Sequence, residues 1–278
     1  MNARTLTDFS TLTGRLEAVD VVVALPGKTL LQGVSAQFSA GQVTAILGPN
    51  GAGKSTLMAV LSGQRQPSSG EVCLAGQTLA AHTLADLARV RACVAQETQV
   101  AFEFTVREVV ELGRYPHRRQ PSRHEAAIVL QAMQATQVDH LAERALNTLS
   151  GGEKARAHLA RALAQVWDNV GDHSARWLLL DEPTAALDLQ HQHRMLQLAR
   201  DWACEQGVGV VAVLHDLNLA LRYSERCVVL QGGQVVASGL TPKVLTPACI
   251  AKVWGVHAQA VPALGGLAHR LQYVFEPV

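Results

Sequence analysis

The stretch Val43-Thr44-Ala45-Ile46-Leu47-Gly48-Pro49-Asn50-Gly51-Ala52-Gly53-Lys54-Ser55-Thr56 decides the fold. It is an apolar strand running into a glycine-rich loop, with helix-type spacing of Leu57, Val60 and Leu61 beyond it and Gly63 as a stop. The pattern G-x-x-x-x-G-K-[ST] between a strand and a helix is a phosphate loop. Its glycines let backbone N–H groups curl around a polyphosphate and the helix start adds its positive end. Lys54 reaches the β- and γ-phosphates, and the Ser55 hydroxyl suits Mg²⁺. The four fixed positions would co-occur by chance in a chain of this composition with a probability of roughly 0.003. Nucleotide binding follows, but not the use made of it.

Working outward, the residues before position ninety read as β-rich. Apolar runs at Leu16 to Ala24, Val34 to Phe38 and Glu71 to Leu74 are separated by the turns Pro26-Gly27-Lys28, Ala40-Gly41, Pro67 to Gly70 and Ala75-Gly76. From Thr105 to Val166 strand signals vanish and apolar residues recur at helical spacing. Buried-type strands return at Trp177 to Leu180, Val208 to Leu214 and Cys227 to Leu230, with a helix at Leu189 to Gln206. That order predicts a parallel sheet covered on both faces. Gln231-Gly232-Gly233 predicts an antiparallel hairpin, and the tail from Thr241 begins with a Pro-started helix.

Two strand tips carry chemistry. Trp177-Leu178-Leu179-Leu180 ends in Asp181-Glu182-Pro183, an expensive place for two carboxylates unless a metal or a reacting group offsets their desolvation. Asp181 suits the Mg²⁺ shell and Glu182 suits orienting and deprotonating an attacking water; the bland alternative is a solvated turn. Val210 to Leu214 ends in His215-Asp216, which puts a histidine in the crevice at the carboxyl ends of parallel strands and favours a γ-phosphate contact. The other histidines, including His191 and His193, read as solvated. Leu149-Ser150-Gly151-Gly152-Glu153 opens a further helix, with Ser150 and Glu153 forming a capping box.

Composition narrows the classes. The 278 residues carry 24 Lys+Arg and 23 Asp+Glu, a net charge of +1, so the basic excess of a nucleic-acid binder is missing. No run of about 18 uncharged apolar residues predicts a membrane span, although 48% of residues are hydrophobic. Met1 to Ser10 lacks the apolar region of a secretory signal. Cys73, Cys93, Cys204, Cys227 and Cys249 lack paired spacing and read as reduced core thiols of a cytosolic chain.

The phosphate loop, Gln96 about forty residues on, Leu149 to Glu153, the Asp181-Glu182 strand, Ala186-Leu187-Asp188 and His215 together resemble the nucleotide-binding subunit of ATP-binding cassette (ABC) transporters, in order and spacing over nearly the whole chain. The resemblance implies an α/β fold: a RecA-like P-loop NTPase core with an N-terminal antiparallel β subdomain and an inserted α-helical subdomain. It implies an ATPase domain over 14–240, an insert at about 97–165 and a short extension over 241–278. ATP and Mg²⁺ are the implied cofactors. The nucleotide contacts are Gly48 to Thr56, with Ser150, Gly151, Gly152 and Asp188 supplied across a head-to-tail homodimer. Glu182, His215 and Gln96 are the implied catalytic residues, and Ser55, Gln96 and Asp181 the Mg²⁺ ligands. Glu153 stands where the family usually has Gln, and no aromatic residue occupies the adenine-stacking position, which falls at Leu25 or Ala24.

Phe104 to Val110 followed by Gly113-Arg114-Tyr115-Pro116-His117 is similar to the insert of importers for iron-siderophores, cobalamin and heme. The long spacer Asp168 to Arg176 and the segments Leu187 to His193 and Gly209 to Ala220 are similar to the ATPases of heme importers in particular. That resemblance implies a peripheral protein on the cytoplasmic face of the inner membrane. Its partners would be a transmembrane permease dimer and, indirectly, a periplasmic solute-binding protein; nucleic acid is not a partner. Apolar surface on the insert is expected to face the membrane partner. The alternatives are a siderophore or cobalamin importer, a cassette ATPase acting on ribosomes or DNA, a phosphate-loop kinase, or a structural nucleotide-binding module.

Overall fold

A computed structural model of the chain describes residues 14–95, 103–168, 175–262 and 271–277. Gln96 and most of the 168–176 spacer lie outside these. In chain order the elements are β1 (Arg15–Leu25), β2 (Lys28–Ser39), β3 (Val43–Leu47), α1 (Lys54–Leu61), β4 (Ser69–Leu74), β5 (Gln77–Thr78), α2 (Leu84–Val90) and β6 (Arg91–Val94). There follow α3 (Val106–Leu112), α4 (Glu125–Ala135), α5 (Gly151–Gln165), β7 (Trp177–Asp181), α6 (Leu189–Gln206), β8 (Gly209–Val213) and α7 (Leu217–Tyr223). The chain closes with β9 (Arg226–Gln231), β10 (Gln234–Leu240), α8 (Thr241–Val244), α9 (Pro247–Trp254), β11 (Val256–Pro262) and β12 (Leu271–Pro277).

The central sheet runs β10-β9-β3-β8-β7-β6, all parallel except the β9–β10 hairpin. Every residue of β3 and β8 is buried, which explains why these strands read as unbroken apolar runs. The period of two divides them between two cores. Ile46, Trp177, Leu179, Val211 and Val213 join α1 and the antiparallel sheet β2-β1-β4-β5. Ala45, Leu47, Leu178, Leu180, Val210 and Ala212 join α5, α6 and the helices of the insert. The sheet is thus the wall between two hydrophobic layers, and the ends of its strands are where polar chemistry can sit.

The structure departs from the sequence reading at several points. α2 and β6 fall inside a stretch read as β-rich with one helix. α2 buries only Leu87, and β6 is four residues long and begins at Arg91, so neither carries a strong periodic signal. β2 begins at Lys28 rather than Val34, because the hairpin at Pro26-Gly27 zips it directly onto β1. The tail ends in the β11–β12 hairpin, anchored by Asn218, whose side chain exchanges hydrogen bonds with the Tyr273 backbone. Of the cysteines only Cys227 is fully buried, and Cys204 is exposed. His117 and His158, expected in solvent, are 4% and 5% exposed, because His158 lies on the inward face of α5 and His117 is set against the end of that helix.

Candidate functional site

Register alone brings the strand tips together. Val213 pairs with Ile46 on one side and with Asp181 on the other, so the phosphate loop, the two acids and His215 leave the sheet together at the carboxyl ends of its strands. There, Asn50 to Thr56, Glu182 and His215 line a cleft of about 530 Å³. Gly53 caps α1 with φ 102°, and a Cβ at that position would lie 2.8 Å from Leu31 Cδ2, so only glycine lets the loop turn against β2.

Lys54 is 5% exposed and donates to the carbonyls of Gly48 at 2.9 Å and Pro49 at 3.0 Å. Burial lowers its pKa, while the charges of Glu182 and then Asp181 pull it back up. Asp181 is raised, first by burial and then by the Glu182 charge, with the Ser55 hydrogen bond and Lys54 opposing. Ser55 Oγ donates to Asp181 Oδ1 at 3.3 Å. A hydroxyl and a carboxylate oxygen side by side at the foot of the phosphate loop are the hard donors that Mg²⁺ takes, so the residues fit that ion. Among the described residues no cluster of three or more His, Cys, Asp or Glu side chains could hold a metal by itself. An ion here would need phosphate oxygens to complete its shell.

Glu182 Oε1 lies 2.7 Å from His215 Nε2. The Glu182 backbone sits at φ 52°, a conformation that costs a non-glycine residue about 1–3 kcal/mol. The turn after β7 therefore holds this carboxylate at the cleft against a backbone preference.

The Ser150 loop lies beside this cleft, Gly151 sharing a neighbouring cavity with Asp181 and Glu182. Ser150 Oγ donates to Glu153 Oε2 at 2.7 Å and accepts from the Glu153 amide at 3.3 Å, while the Ser150 amide donates to Glu153 Oε2 at 2.8 Å. These bonds, led by the Ser150 hydroxyl, hold the Glu153 carboxyl below its usual range. Ser150, Gly151 and Gly152 take no part in lining the phosphate cleft. Asp188 caps α6, accepting from the His191 amide and ring Nδ1, both at 2.8 Å.

A model of the ABC transporter family matches residues 31–185. The chain belongs to that family. As its ATP-hydrolysing subunit, the chain is 46% identical over 84% of its length to the hemin import ATP-binding protein HmuV of Methylobacillus flagellatus, covering 87% of that protein. It is 47% identical over 90% of its length to the hemin import ATP-binding protein HmuV of Gloeobacter violaceus, covering 91%. Among solved structures it superposes on an inward-facing ABC transporter of the metal-chelate type with a TM-score of 0.77 and 25% identity, over 95% of this chain and 98% of that one.

The cassette's cleft also contains residues that motif reading missed. Lys28 and Leu30, from β2, complete its wall, whereas Leu25 is 43% exposed and lines none of it. Their placement depends on long-range bonds: Gln32 N donates to Gly233 O, and Gly233 N to Ala52 O. No local sequence signal marks them.

Proposed function

We propose that the chain energises heme import, hydrolysing ATP with Glu182 as the general base. The observation that carries the catalytic reading is the Glu182–His215 pair at 2.7 Å, held by a strained backbone at the mouth of the phosphate cleft. In this reading Lys54 and the amides of Gly51 to Thr56 bind the β- and γ-phosphates. Ser55, Asp181 and Gln96 would hold Mg²⁺, whose charge would offset that of the phosphate oxygens. Glu182 takes the proton of a water whose oxygen attacks the γ-phosphorus; the bond to the bridging oxygen breaks, and ADP and phosphate leave. His215 orients Glu182 and reaches the γ-phosphate.

The Ser150 loop supports a head-to-tail homodimer. It is an anion-attracting helix start outside the lining of the chain's own cleft, and a second copy would bring phosphate to it. Asp188 lies beside the same face and would contact that copy. The ATPase domain is assigned to 14–240, with the insert at about 97–165 and the extension at 241–278. No described helix is long and apolar enough to cross a membrane. Apolar side chains exposed on the insert, Leu112, Tyr115 and Leu130, together with Leu84 on α2 at 85% exposure, offer contact to a permease at the cytoplasmic face of the inner membrane.

Heme is the proposed cargo because the relatives reported above are hemin import proteins. The deciding test is reconstitution with the cognate permease and periplasmic binding protein. Heme should stimulate ATP hydrolysis, and stimulation by cobalamin or a ferric siderophore alone would overturn the cargo.

A further inference from the structure

The motif Gly113-Arg114-Tyr115-Pro116-His117 touches neither the cleft nor the Ser150 loop, yet two of its polar side chains are buried. Arg114 is 7% exposed and His117 4%. Both end at the last turn of α5, whose carbonyls have no partner within the helix. Arg114 Nη1 donates to Ala164 O at 2.6 Å, and His117 Nε2 donates to Gln165 O at 2.8 Å. The same guanidinium forks onto Glu125 Oε2 at 2.7 Å and Oε1 at 2.9 Å, at the start of α4, and reaches Asp168 Oδ2 at 2.9 Å beyond α5. Gly113 permits the approach, since a Cβ there would lie 2.3 Å from Arg161 O.

The joint continues into the core. Gln165 Nε2 donates to Ala88 O at 2.7 Å and to Arg91 O at 3.0 Å, at the end of α2 and the start of β6. β6 ends two residues before Gln96, and Ser150 caps the start of α5. The two segments assigned to ATP therefore meet, at their far ends, in one buried polar junction. An apolar contact tolerates sliding, whereas a buried guanidinium fork leaves unpaired charge if it shifts, so the junction fixes register.

We propose that Arg114 and His117 are positioning residues that make the insert and α5 move as one body, so that the tilt of α5 sets where Ser150 meets the partner's ATP. α5 spans about 22 Å, so a small rotation at the junction becomes a displacement of ångströms at its N-terminus. The inference rests on the ATPase-dimer reading of the preceding subsection.

The test compares His117→Leu with His117→Gln, whose amide can still donate to Gln165 O, and adds Arg114→Lys, which keeps the charge but loses the fork. Each is assayed as the full chain for kcat, for single-subunit ATP affinity and for melting temperature, beside the wild type. His117→Leu and Arg114→Lys should lose about tenfold in kcat with single-subunit ATP affinity within about twofold of wild type, because the phosphate loop is untouched. His117→Gln should restore most of the rate. The proposal is overturned if His117→Leu turns over normally, if its lost rate is matched by lost affinity and melting temperature, or if His117→Gln rescues nothing. A wild type without ATP-dependent turnover would sink the underlying reading and this one together, whereas normal wild-type turnover with indifferent variants sinks only this one.

Discussion

Two helices in this chain open at glycine-rich loops, and their first turns are built in opposite ways. α1 begins at Gly53 with no side-chain cap and no acid in its first turn, and Lys54 lies folded over the loop carbonyls. α5 begins at Ser150 with a complete capping box, its first-turn acid Glu153 bonded to both the hydroxyl and the amide of the cap. The first leaves its N–H groups and its positive end available to an incoming phosphate. The second is locally satisfied and carries its own negative charge. A helix start is thus an anion site by default, and the sequence decides whether the anion comes from outside or from three residues away. In the proposed dimer the phosphate loop would bind nucleotide in a single copy, whereas the Ser150 loop would need phosphate brought by a partner to compete with Glu153.

The contrast can be broken in graded steps. Glu182→Gln should lower kcat by roughly a thousandfold while ATP stays bound, trapping the closed dimer; normal phosphate release would remove Glu182 from its role. Lys54→Ala should weaken ATP binding by the single subunit about a hundredfold and leave the α5 terminus intact. Calorimetric titration checks it, and unchanged affinity would mean that the loop amides suffice.

A third step concerns α5 itself. Burial, with the Arg161 charge second, pushes His158 down to about 4, and among the described residues its Nδ1 has no hydrogen-bond partner. Its neutral form is the stable one in the fold, while in the unfolded chain it takes up a proton near pH 6.5. Its contribution is therefore complete above pH 6.5 and is lost as pH falls toward 4. Between pH 7.5 and 5 the wild type should lose about 5 °C of melting temperature that His158→Gln does not. Parallel melting curves would count against the buried neutral imidazole. The smallest step is Glu153→Gln, which keeps the capping geometry but removes the charge. ATP-driven dimerisation should tighten about threefold at low salt, with the gain fading as salt is added. Sedimentation on the Glu182→Gln background measures it, and a weaker dimer would contradict the competition between Glu153 and phosphate.

Much of this architecture is visible in local patterns. β3, β7 and β8 are legible because burial on both faces demands unbroken apolar runs. The start of α5 is legible because a capping box is a contact between residues three apart. The phosphate loop and its helix follow from glycine and lysine spacing. α2 and β6 are not legible, since one buries a single side chain and the other opens on Arg91, whose guanidinium donates to Leu61 O across the fold. Lys28 and Leu30 enter the cleft through a hairpin register and a bond to Gly233, two hundred residues away. The burial of His117 was missed for a related reason: a histidine after Pro116 in a loop looks solvated until the end of α5 is set against it.

Read alone, the sequence determined which residues are proposed to meet phosphate, because that chemistry is written in short contiguous motifs whose backbone geometry is local. It also determined the layered sheet, since periodicity encodes which faces are buried. Only the tertiary structure decided that Glu182 and His215 come within 2.7 Å of each other and that Lys28 and Leu30 wall the cleft. It also joined Arg114, His117 and Gln165 into one junction. Each of these contacts depends on parallel-strand register or on the docking of one helix end against another, and the free energy of such contacts lies in pairs of residues far apart along the chain.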